Sequence, residues 1–499
     1  MINLCIHGHF YQPPRENPWT GEIEEQPGAK PFHDWNERIY SQCYMPNSEA
    51  EIINDDSRIV KHINNYEYLN FNFGPTLLAW INRKHPETYN KIIEADKISV
   101  QKYKGHGNAI AMCYNHMIMP LADFNDKVTQ VTWGLEDFKH HFGRESEGIW
   151  LPETACNYET IEVLINLNVK YIILDTGQAA LVRKFGDTEW TDVNIGSIDP
   201  GQPYRCYSGI NKDKYIDLFF YNGPVSKAVA FDDVLFSSQN LIGKIKEASE
   251  HNTSEENLVS ISTDGETFGH HKKFAERTLA YFINSIVPAE NINIYNYGHY
   301  LELHPPEVEV KIKAGDNGEG TSWSCVHGVK RWKDDCGCGG SGDWHQKWRK
   351  PLRDTMDWLR DNLIQIYEQQ GSNYFNNVWI ARNKYINVIL DESSKHDFIA
   401  HHCKKDLNIE ETAAAFRILE MQKFAMLMYT SCGWFFSELS GLETVKILEY
   451  AARAIEIAES ITKLPIEKEF LKKLYAAKSN LKRFANGKNV YLKLVKASK

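Results

Sequence analysis

The chain has 499 residues, which exceeds the length that one hydrophobic core supports and predicts two or three domains. Charged residues make up 24% of it and the formal net charge is −10, which argues against a nucleic-acid-binding surface. The first residues do not form a basic leader before a long apolar core, and no run of about 18 apolar residues occurs. We therefore expect neither a signal peptide nor a membrane span.

The cysteine and aromatic contents restrict the class of protein further. Most of the ten cysteines stand singly inside apolar segments, a pattern typical of buried, reduced thiols and of a cytoplasmic protein. Aromatic residues reach 12%, with 13 tryptophans. Sugar rings stack on aromatic faces, and a large aromatic core explains the same composition equally well.

The first 300 residues alternate short apolar runs with amphipathic stretches. Strands of about five residues alternating with helices imply βα units and a parallel sheet. The predicted strands cover 2–6, 148–151, 170–174, 217–221 and 258–262, and the predicted helices cover 76–83, 86–95, 158–166 and 274–286.

The second part of the chain has a different pattern. Residues 305–343 are rich in Gly and Cys and are predicted to form a connecting loop of lower order. Helical spacing of apolar residues then predicts a helical domain over 344–499, after a catalytic domain at 1–304, and this helical domain is expected to contribute to the active-site mouth. Its predicted helices cover 344–369, 409–429, 441–460 and 467–484.

Two acids end two of the predicted strands. Glu153 follows Pro152, which lacks a ladder donor, and Asp264 precedes Gly265, which permits unusual backbone angles. In a parallel barrel such strand ends line the active-site rim, and a pair of carboxylates there is what a glycosidase uses. The alternatives are a surface or cap role for Glu153 and a turn or cap role for Asp264.

Polar residues at three other places join these acids. His7 and His9 come directly after the first predicted strand, and at positions i and i+2 of extended chain they share one face, so they could ligate zinc or bond sugar hydroxyls. His116 lies in a segment of polar donors that is weak evidence alone. Trp434 lies in an aromatic break between two helices, which is either a helix–helix corner or a loop over a barrel mouth.

Taken in this order and spacing, the five segments resemble the signatures of glycoside hydrolase family 57. The first family motif is His-rich and ends in Gln-Pro, as His7, His9 and Gln12 do with the proline that follows. The second motif ends in a His before an apolar-Pro step, which His116 matches.

The third and fourth motifs carry the most specific part of the resemblance. The third, which reads Trp-Leu-Pro-Glu in the branching-enzyme-like members, is reproduced letter for letter from Trp150 to Glu153. The fourth, Asp-x-Glu-x-Phe-Gly, is matched from Asp264 through Phe268 to the glycine after it. The segment from 321 to 338 looks like an uncharacterised bacterial subgroup of the family with an extended helical C-terminal region.

The resemblance implies a (β/α)7 barrel followed by a C-terminal all-α helical bundle. It implies action on α-glucan or maltooligosaccharide by a retaining mechanism, with a glycosyl-enzyme intermediate and no cofactor. Glu153 is then the nucleophile and Asp264 the general acid/base, whose pKa we expect to be raised by burial and by the charge of Glu153. The implied substrate-binding residues are His7, His9, Gln12, His116, Trp150, Phe268, His270 and Trp434.

One position departs from the family pattern. The fifth motif usually reads close to Ser-Ser-Asp-Trp, whereas this chain has Gly433 where the carboxylate is expected. This departure leaves the catalytic pair intact. It leaves undetermined which sugar contacts are made at that subsite, and therefore which substrate the enzyme selects. Amylase, 4-α-glucanotransferase and branching activities are all compatible with the residues.

A Cys/His cluster in the connecting loop is the one plausible metal site. Cys325, His327, Cys336 and Cys338 are ligand types that zinc takes, but Cys-x-Cys is not the usual knuckle spacing. We therefore expect no bound metal and favour a structural or substrate-covering loop.

Two other functions compete with the leading one. A zinc-dependent hydrolase, such as an amidohydrolase or a polysaccharide deacetylase, would use His7, His9, His116 and Asp264 as ligands. That hypothesis leaves the Trp-Leu-Pro-Glu motif without a purpose and ranks second. An inactive carbohydrate-binding homologue is the third, suggested by Gly433.

Overall fold

The structure is a computed structural model that describes residues 2–54, 56–194, 196–253, 257–339, 342–404 and 407–497. Its internal contacts divide the chain into two compact units. The first comprises Met1–Gln12, Glu24–Met112 and Phe138–Trp323, and the second comprises Pro13–Ile23, Cys113–Asp137 and Ser324–Lys499. The domain limits expected at 304 and 343 stay predictions.

The strands found in the described residues all belong to the first unit. They are β1 Asn3–Phe10, β2 Ala50–Ile53, β3 Ile59–Ile63, β4 Asn70–Phe73, β5 Ala111–Met112, β6 Ile149–Trp150, β7 Tyr171–Asp175, β8 Ala179–Lys184, β9 Thr191–Asp192, β10 Tyr204–Tyr207, β11 Tyr215–Tyr221, β12 Leu258–Asp264, β13 Asn293–Ile294 and β14 Val308–Ile312.

Parallel pairing links seven of these strands in succession. β1 lies between β12 and β4, β5 pairs with β6, and β7 pairs with β11, all in parallel. Single parallel bridges, from Phe71 to Ala109 and from Gly148 to Tyr171, join these groups in the order β12-β1-β4-β5-β6-β7-β11. All five predicted strands are therefore present, with shifted ends, and the prediction of parallel pairing is confirmed.

Aromatic side chains fill the interior beside these strands. One buried cluster includes Trp150, Tyr171, Phe219 and Tyr297, none more than 1% exposed. Each such ring removes about 150–250 Å² from water, so a few rings supply much of the apolar burial. Packing accounts for a good share of the aromatic content, because six tryptophans in the chain are fully buried.

A second sheet extends from β11 and was not predicted. It runs β7-β11-β10-β14-β8-β9, with antiparallel pairs β10–β11, β14–β8 and β8–β9. β14, Val308–Ile312, lies inside the stretch predicted as a connecting loop of lower order, so that prediction is wrong for these residues. The short strands of this sheet are partly exposed, which weakens the hydrophobic signal that sequence reasoning uses.

The helices follow the same division. Those in the first unit are α1 Trp35–Ile39, α2 Met45–Ser48, α3 Pro75–Lys84, α4 Pro86–Lys102, α6 Tyr158–Asn166, α7 Gly223–Phe231, α8 Ser238–His251, α9 Ala275–Tyr281, α10 Val287–Ala289 and α11 Tyr297–Leu303, while α5 Phe124–Phe142 runs across the limit between the units. Those in the second unit are α12 Arg349–Gly371, α13 Val378–Lys384, α14 Ile386–Leu390, α15 Lys395–His402, α16 Ile409–Leu427, α17 Cys432–Phe435, α18 Leu442–Thr462, α19 Ile466–Leu474 and α20 Gly487–Val490.

The predicted helices of both regions are present, with one clear error. The helix expected over 467–484 ends at Leu474, where a break precedes α20. The helical C-terminal region is thus confirmed, apart from residues 405–406 and 498–499, which lie outside the described residues. Within the described chain, none of the helices is both long and apolar enough to span a lipid bilayer.

Candidate active site

Asp264 is the last residue of β12, at the end of the strand that pairs with β1. Its register partner is His9, so the acid and the histidine stand side by side at the same edge. The chain then turns into a short 3-10 segment, Gly265–Thr267. A Cβ at position 265 would lie 2.3 Å from the Phe10 ring, so the close approach of this ring explains why the residue is a glycine. Gly265 does not have a positive φ, so the unusual backbone angles that glycine permits are not the reason.

The environment of Asp264 favours its protonated form. The residue is open to solvent on one side, yet the protein around its carboxyl removes much of the surrounding water. This desolvation is the larger cause, and the negative charge of Glu153 is the second, of a pKa raised from 3.8 to about 7. The predicted direction of the shift agrees with this environment and so does the contribution of the Glu153 charge, whereas Asp264 is exposed and is not enclosed by the protein as we expected.

Glu153 lies just after β6 in a left-handed backbone conformation. Its φ is 58° and that of Thr154 is 49°, which L-residues adopt at a cost of roughly 1–2 kcal/mol each. The Thr154 hydroxyl donates to Gln178 Oε1 at 2.8 Å, and Gln178 Nε2 donates back to the Thr154 carbonyl at 2.8 Å. These bonds hold the turn in a conformation of the kind that clusters at functional sites.

Trp323 holds the Glu153 side chain and backbone together. Its indole Nε1 donates to Glu153 Oε2 at 3.0 Å, and its backbone N–H donates to the Glu153 carbonyl at 3.1 Å. Sequence reasoning did not select Trp323 as a site residue. The two residues are 170 positions apart, so local patterns carry no signal for this contact.

His7 and His9 form one assembly with Asn72 and Trp150. His7 Nε2 lies 3.0 Å from Asn72 Oδ1, and Asn72 Nδ2 lies 3.0 Å from His9 Nδ1. The Trp150 ring stacks on both imidazoles, with centroids 4.7 Å from that of His7 and 5.1 Å from that of His9. The amide and the indole thereby fix the orientation of both rings.

Both histidines are neutral in the physiological range. Burial lowers the pKa of His7 and that of His9 to about 3, against the opposing hydrogen bond to Asn72. With neutral rings, His7 Nε2 donates to Asn72 Oδ1, since a neutral amide oxygen only accepts. His9 Nδ1 also lies 3.2 Å from Asn72 Oδ1, so its tautomer decides whether it accepts from the amide nitrogen or donates to the amide oxygen. His7 Nδ1 and Trp150 Nε1 have no hydrogen-bond partner among the described residues, so a polar ligand or a water would satisfy them.

Glu266 is the second acid of the fourth motif, two residues after Asp264. It lies in the 3-10 segment and is buried, where its Oε1 accepts from Tyr44 OH at 2.6 Å and from the Tyr11 backbone N–H at 3.0 Å. Burial is the main cause of a pKa raised from 4.5 to about 8. Glu266 thus ties the chain after β1 to the chain after β12.

The other predicted binding residues of the first unit have protein partners. Gln12 Nε2 donates to the Tyr11 carbonyl at 2.9 Å. Phe268 is 1% exposed, so its ring packs inside the protein. His270 Nδ1 lies 2.6 Å from Gln42 Oε1, and burial lowers its pKa to about 4.

The second unit brings His116 and the fifth motif together. His116 Nδ1 lies 2.6 Å from Ser431 Oγ, and the His116 carbonyl accepts from the Ser431 backbone N–H at 3.0 Å. Trp434 is 1% exposed, and its Nε1 donates to the Met428 carbonyl at 3.2 Å. The motif is thus a well-packed corner in this unit.

Gly433 has no room for a side chain. A Cβ there would lie 2.5 Å from Ile447 Cγ2 and 2.8 Å from its Cδ1. Ile447 of α18 therefore fills the space that the first atoms of an acidic side chain would need. Position 433 therefore differs from the family motif in two respects: the carboxylate is absent, and Ile447 occupies the space beside the backbone.

Two groups of side chains in the described residues are compact enough to hold a metal ion. One is Cys325, His327, Cys336 and Cys338, and the other is His106, His299 and Glu302. His7, His9 and Asp264 belong to neither. Three of the ligands that the zinc-dependent hydrolase hypothesis requires are thus outside the compact groups found among the described residues.

Comparison with known proteins agrees with the motifs. The family model described as glycosyl hydrolase family 57 matches residues 7–313, and residues 344–499 match a domain of unknown function, DUF3536. Alpha-amylase 1 of Dictyoglomus thermophilum is 22% identical over 107 residues, which are 21% of this chain and 15% of the amylase. The matched stretch therefore spans less than a sixth of that relative.

Solved structures extend the likeness in fold to nearly the whole chain. An exo-type maltose-forming amylase from Pyrococcus sp. ST04 aligns with a TM-score of 0.66 at 14% identity, over 95% of this chain and 82% of its own. A branching enzyme from Pyrococcus horikoshii aligns with a TM-score of 0.56 at 13% identity, over 94% of both chains. These neighbours imply the (β/α)7 fold class. Because the family model matches well over half of the residues, the chain belongs to glycosyl hydrolase family 57.

Proposed function

We propose that this protein is a retaining glycoside hydrolase or glucanotransferase that acts on α-glucan. The observation that carries the proposal is the pair of acids at strand ends. Asp264, with a pKa of about 7, is suited to give up and take back a proton, and Glu153 contributes to that shift through its charge. The amylase and branching-enzyme names of the relatives support an α-glucan or maltooligosaccharide substrate.

In the first step Glu153 attacks the anomeric carbon and the glycosidic bond breaks. Asp264 donates its proton to the departing sugar oxygen, so that the leaving group departs as an alcohol. The Trp323 indole orients the attacking carboxylate through one oxygen, Oε2. The product is a glycosyl ester of Glu153 and an ionised Asp264.

The second step reverses the proton transfer. Once Glu153 is an ester it carries no charge, so one of the two causes that raise the pKa of Asp264 disappears. Asp264 then accepts a proton from water or from an acceptor sugar hydroxyl, which attacks the anomeric carbon and releases Glu153. Water gives hydrolysis, and a sugar gives transfer or branching.

The neutral His7–Asn72–His9 assembly is suited to bind sugar hydroxyls. Neutral imidazoles donate and accept hydrogen bonds without adding charge next to the two carboxylates. We assign substrate binding to His7 and His9, held in place by Asn72 and Trp150.

Three further assignments belong to this proposal. We infer that the seven parallel strands close into a barrel, supported by the bond from Asn222 N–H, after β11, to the Ser260 carbonyl of β12 at 2.7 Å. We retain 344–499 as the helical domain, supported by the family match over the same residues, whereas the match over 7–313 runs past the limit expected at 304. A cytoplasmic location is supported by ten cysteines that are all free of disulfides.

The deciding experiment is a product profile on maltooligosaccharides, amylose and glycogen. Reducing-end release means hydrolysis, new chain lengths mean disproportionation, and new branch points mean branching. Proton NMR of the first product must show the retained α-anomer. An inverted anomer, or no turnover on any of the three substrates, contradicts the proposal.

Glu153→Gln tests the nucleophile in the same assays. It should abolish formation of the glycosyl ester and reduce turnover to near background. Glu250→Gln, at an exposed position of α8, is the matched control and should keep the wild-type rate. Near-normal rates in Glu153→Gln would show that the nucleophile has been wrongly assigned.

A further inference from the structure

The loop that follows Trp323 brings four ligand-type side chains together. The ligand atoms of Cys325, His327, Cys336 and Cys338 all lie within 4.8 Å of one another. Cys338 Sγ is 3.3 Å from His327 Nδ1. With Zn–S of about 2.3 Å and Zn–N of about 2.0–2.1 Å, the ligand atoms of a tetrahedral zinc site lie about 3.5–3.8 Å apart. We propose that these four side chains bind one Zn²⁺ ion as a structural Cys3His site.

The backbone of the loop presents the ligands in two arms. Cys325 and His327 form the first arm, and Cys336 and Cys338 form the second. Gly337, between the two cysteines of the second arm, has a φ of 74°, a left-handed conformation that glycine adopts without strain. This tight turn lets both sulfurs of the second arm approach the first arm.

The segment between the arms is anchored in the protein. Val329 and Trp332 are 2% and 1% exposed, with the short 3-10 turn Lys330–Trp332 between the arms. Arg331 Nη2 donates to the Cys338 carbonyl at 2.9 Å. The two arms are therefore held near each other by packing and hydrogen bonds, which reduces the ordering that metal binding requires.

A buried cation matches the charge that the site would carry. Zn²⁺ with three thiolates and a neutral imidazole has a net charge of −1. Arg349 is 1% exposed, its Nη1 lies 3.8 Å from Cys336 Sγ, and its Nη2 donates to the Phe435 carbonyl at 2.7 Å. The charge of the Asp335 carboxylate also acts on Arg349, and a zinc–thiolate centre would add an anionic partner beside this buried guanidinium.

The Cys-x-Cys spacing, which argued against a metal, concerns only two of the four proposed ligands. Cys-x-Cys is one arm, and the fold supplies the other arm from 11 residues earlier, counted from His327 to Cys338. Four protein ligands leave no open coordination position, which is typical of a structural site and not of a catalytic one. This inference does not depend on the glycosidase proposal.

The test is the metal content of the intact protein purified in zinc-supplemented medium under reducing conditions. We expect about one equivalent of zinc in the wild type and less than about a tenth in Cys336→Ser/Cys338→Ser. Cys403→Ser, at a buried cysteine of the same unit outside the cluster, is the matched control and should keep the full equivalent. Wild-type protein with less than a tenth of an equivalent overturns the proposal.

A second measurement covers the case in which the double variant does not fold. Wild-type protein exchanged into Co²⁺ should show thiolate-to-cobalt charge transfer and the intense d–d bands of a tetrahedral site. His327→Cys should retain the metal with four sulfur ligands, whereas His327→Ala should bind it more weakly. Absence of the charge-transfer bands, or mass-spectrometric detection of a disulfide within the cluster in zinc-supplemented protein, overturns the proposal.

Discussion

Asp264→Asn is the change that tests the proposed proton transfer most directly. With a pKa of about 7, Asp264 is about half protonated at pH 7, whereas a carboxyl at its ordinary 3.8 would be protonated in about one molecule in 1,600. The protein therefore raises the population of the competent acid several hundredfold. Asparagine cannot donate this proton, so kcat/KM on maltooligosaccharides should fall about 10²–10⁴-fold.

The assay compares two leaving groups across the pH range. Wild type should lose kcat/KM on maltooligosaccharides as pH rises through about 7, because Asp264 then gives up its proton. Asp264→Asn should lack this limb. On an aryl maltoside with an acidic nitrophenol leaving group, which departs without a proton, the first step of the variant should be nearly unaffected. Azide should restore its turnover by replacing the base-activated water.

Two outcomes would refute this reasoning. Asp264→Asn could lose the same factor on both substrates, which would mean that the residue does not protonate the leaving group. Alternatively, it could keep the alkaline limb near pH 7, which would assign that limb to another group. Asp233→Asn, at an exposed position of the same unit, controls for general effects of the substitution and should behave as wild type.

Three other changes test the contacts around the site. Trp323→Phe removes the hydrogen-bond donor to Glu153 and keeps an aromatic ring. Because hydrogen bonds to charged groups contribute about 1.5–3 kcal/mol, kcat/KM should fall about 10- to 100-fold. An unchanged rate would exclude the positioning role of Trp323. Folded Glu266, with its pKa of about 8, keeps a proton that the unfolded chain releases above about 4.5, so its contribution to stability falls as pH rises through this window. Urea denaturation of Glu266→Gln should show a shallower loss of stability between these pH values than wild type; parallel curves would contradict the burial argument. Gly433→Ala should lower the free energy of unfolding by about 1–3 kcal/mol, because the added methyl group clashes with Ile447. In a double-mutant cycle, adding Ile447→Ala should offset much of that loss. Additive losses in the double variant would rule out the clash.

The sequence by itself determined the features that depend on local pattern. The parallel strands around Glu153 and Asp264 follow from apolar runs of strand length, and α16 and α18 follow from helical spacing. The order of the motifs was enough to identify the family, because each motif is a short, contiguous string. The raised pKa of Asp264 could be predicted once the second acid was known to lie nearby.

Contacts between distant segments were decided only by the tertiary structure. The indole of Trp323 on Glu153, the Asn72 amide between two histidines and the Ile447 side chain against Gly433 are set by how strands and helices pack. The Cys/His cluster shows the same division, because the local spacing describes only the arm of Cys336 and Cys338, whereas packing places the arm of Cys325 and His327 beside it. Periodicity along the chain reports which face of an element is buried, whereas the partner on that face is chosen by shape and polar complementarity across the fold.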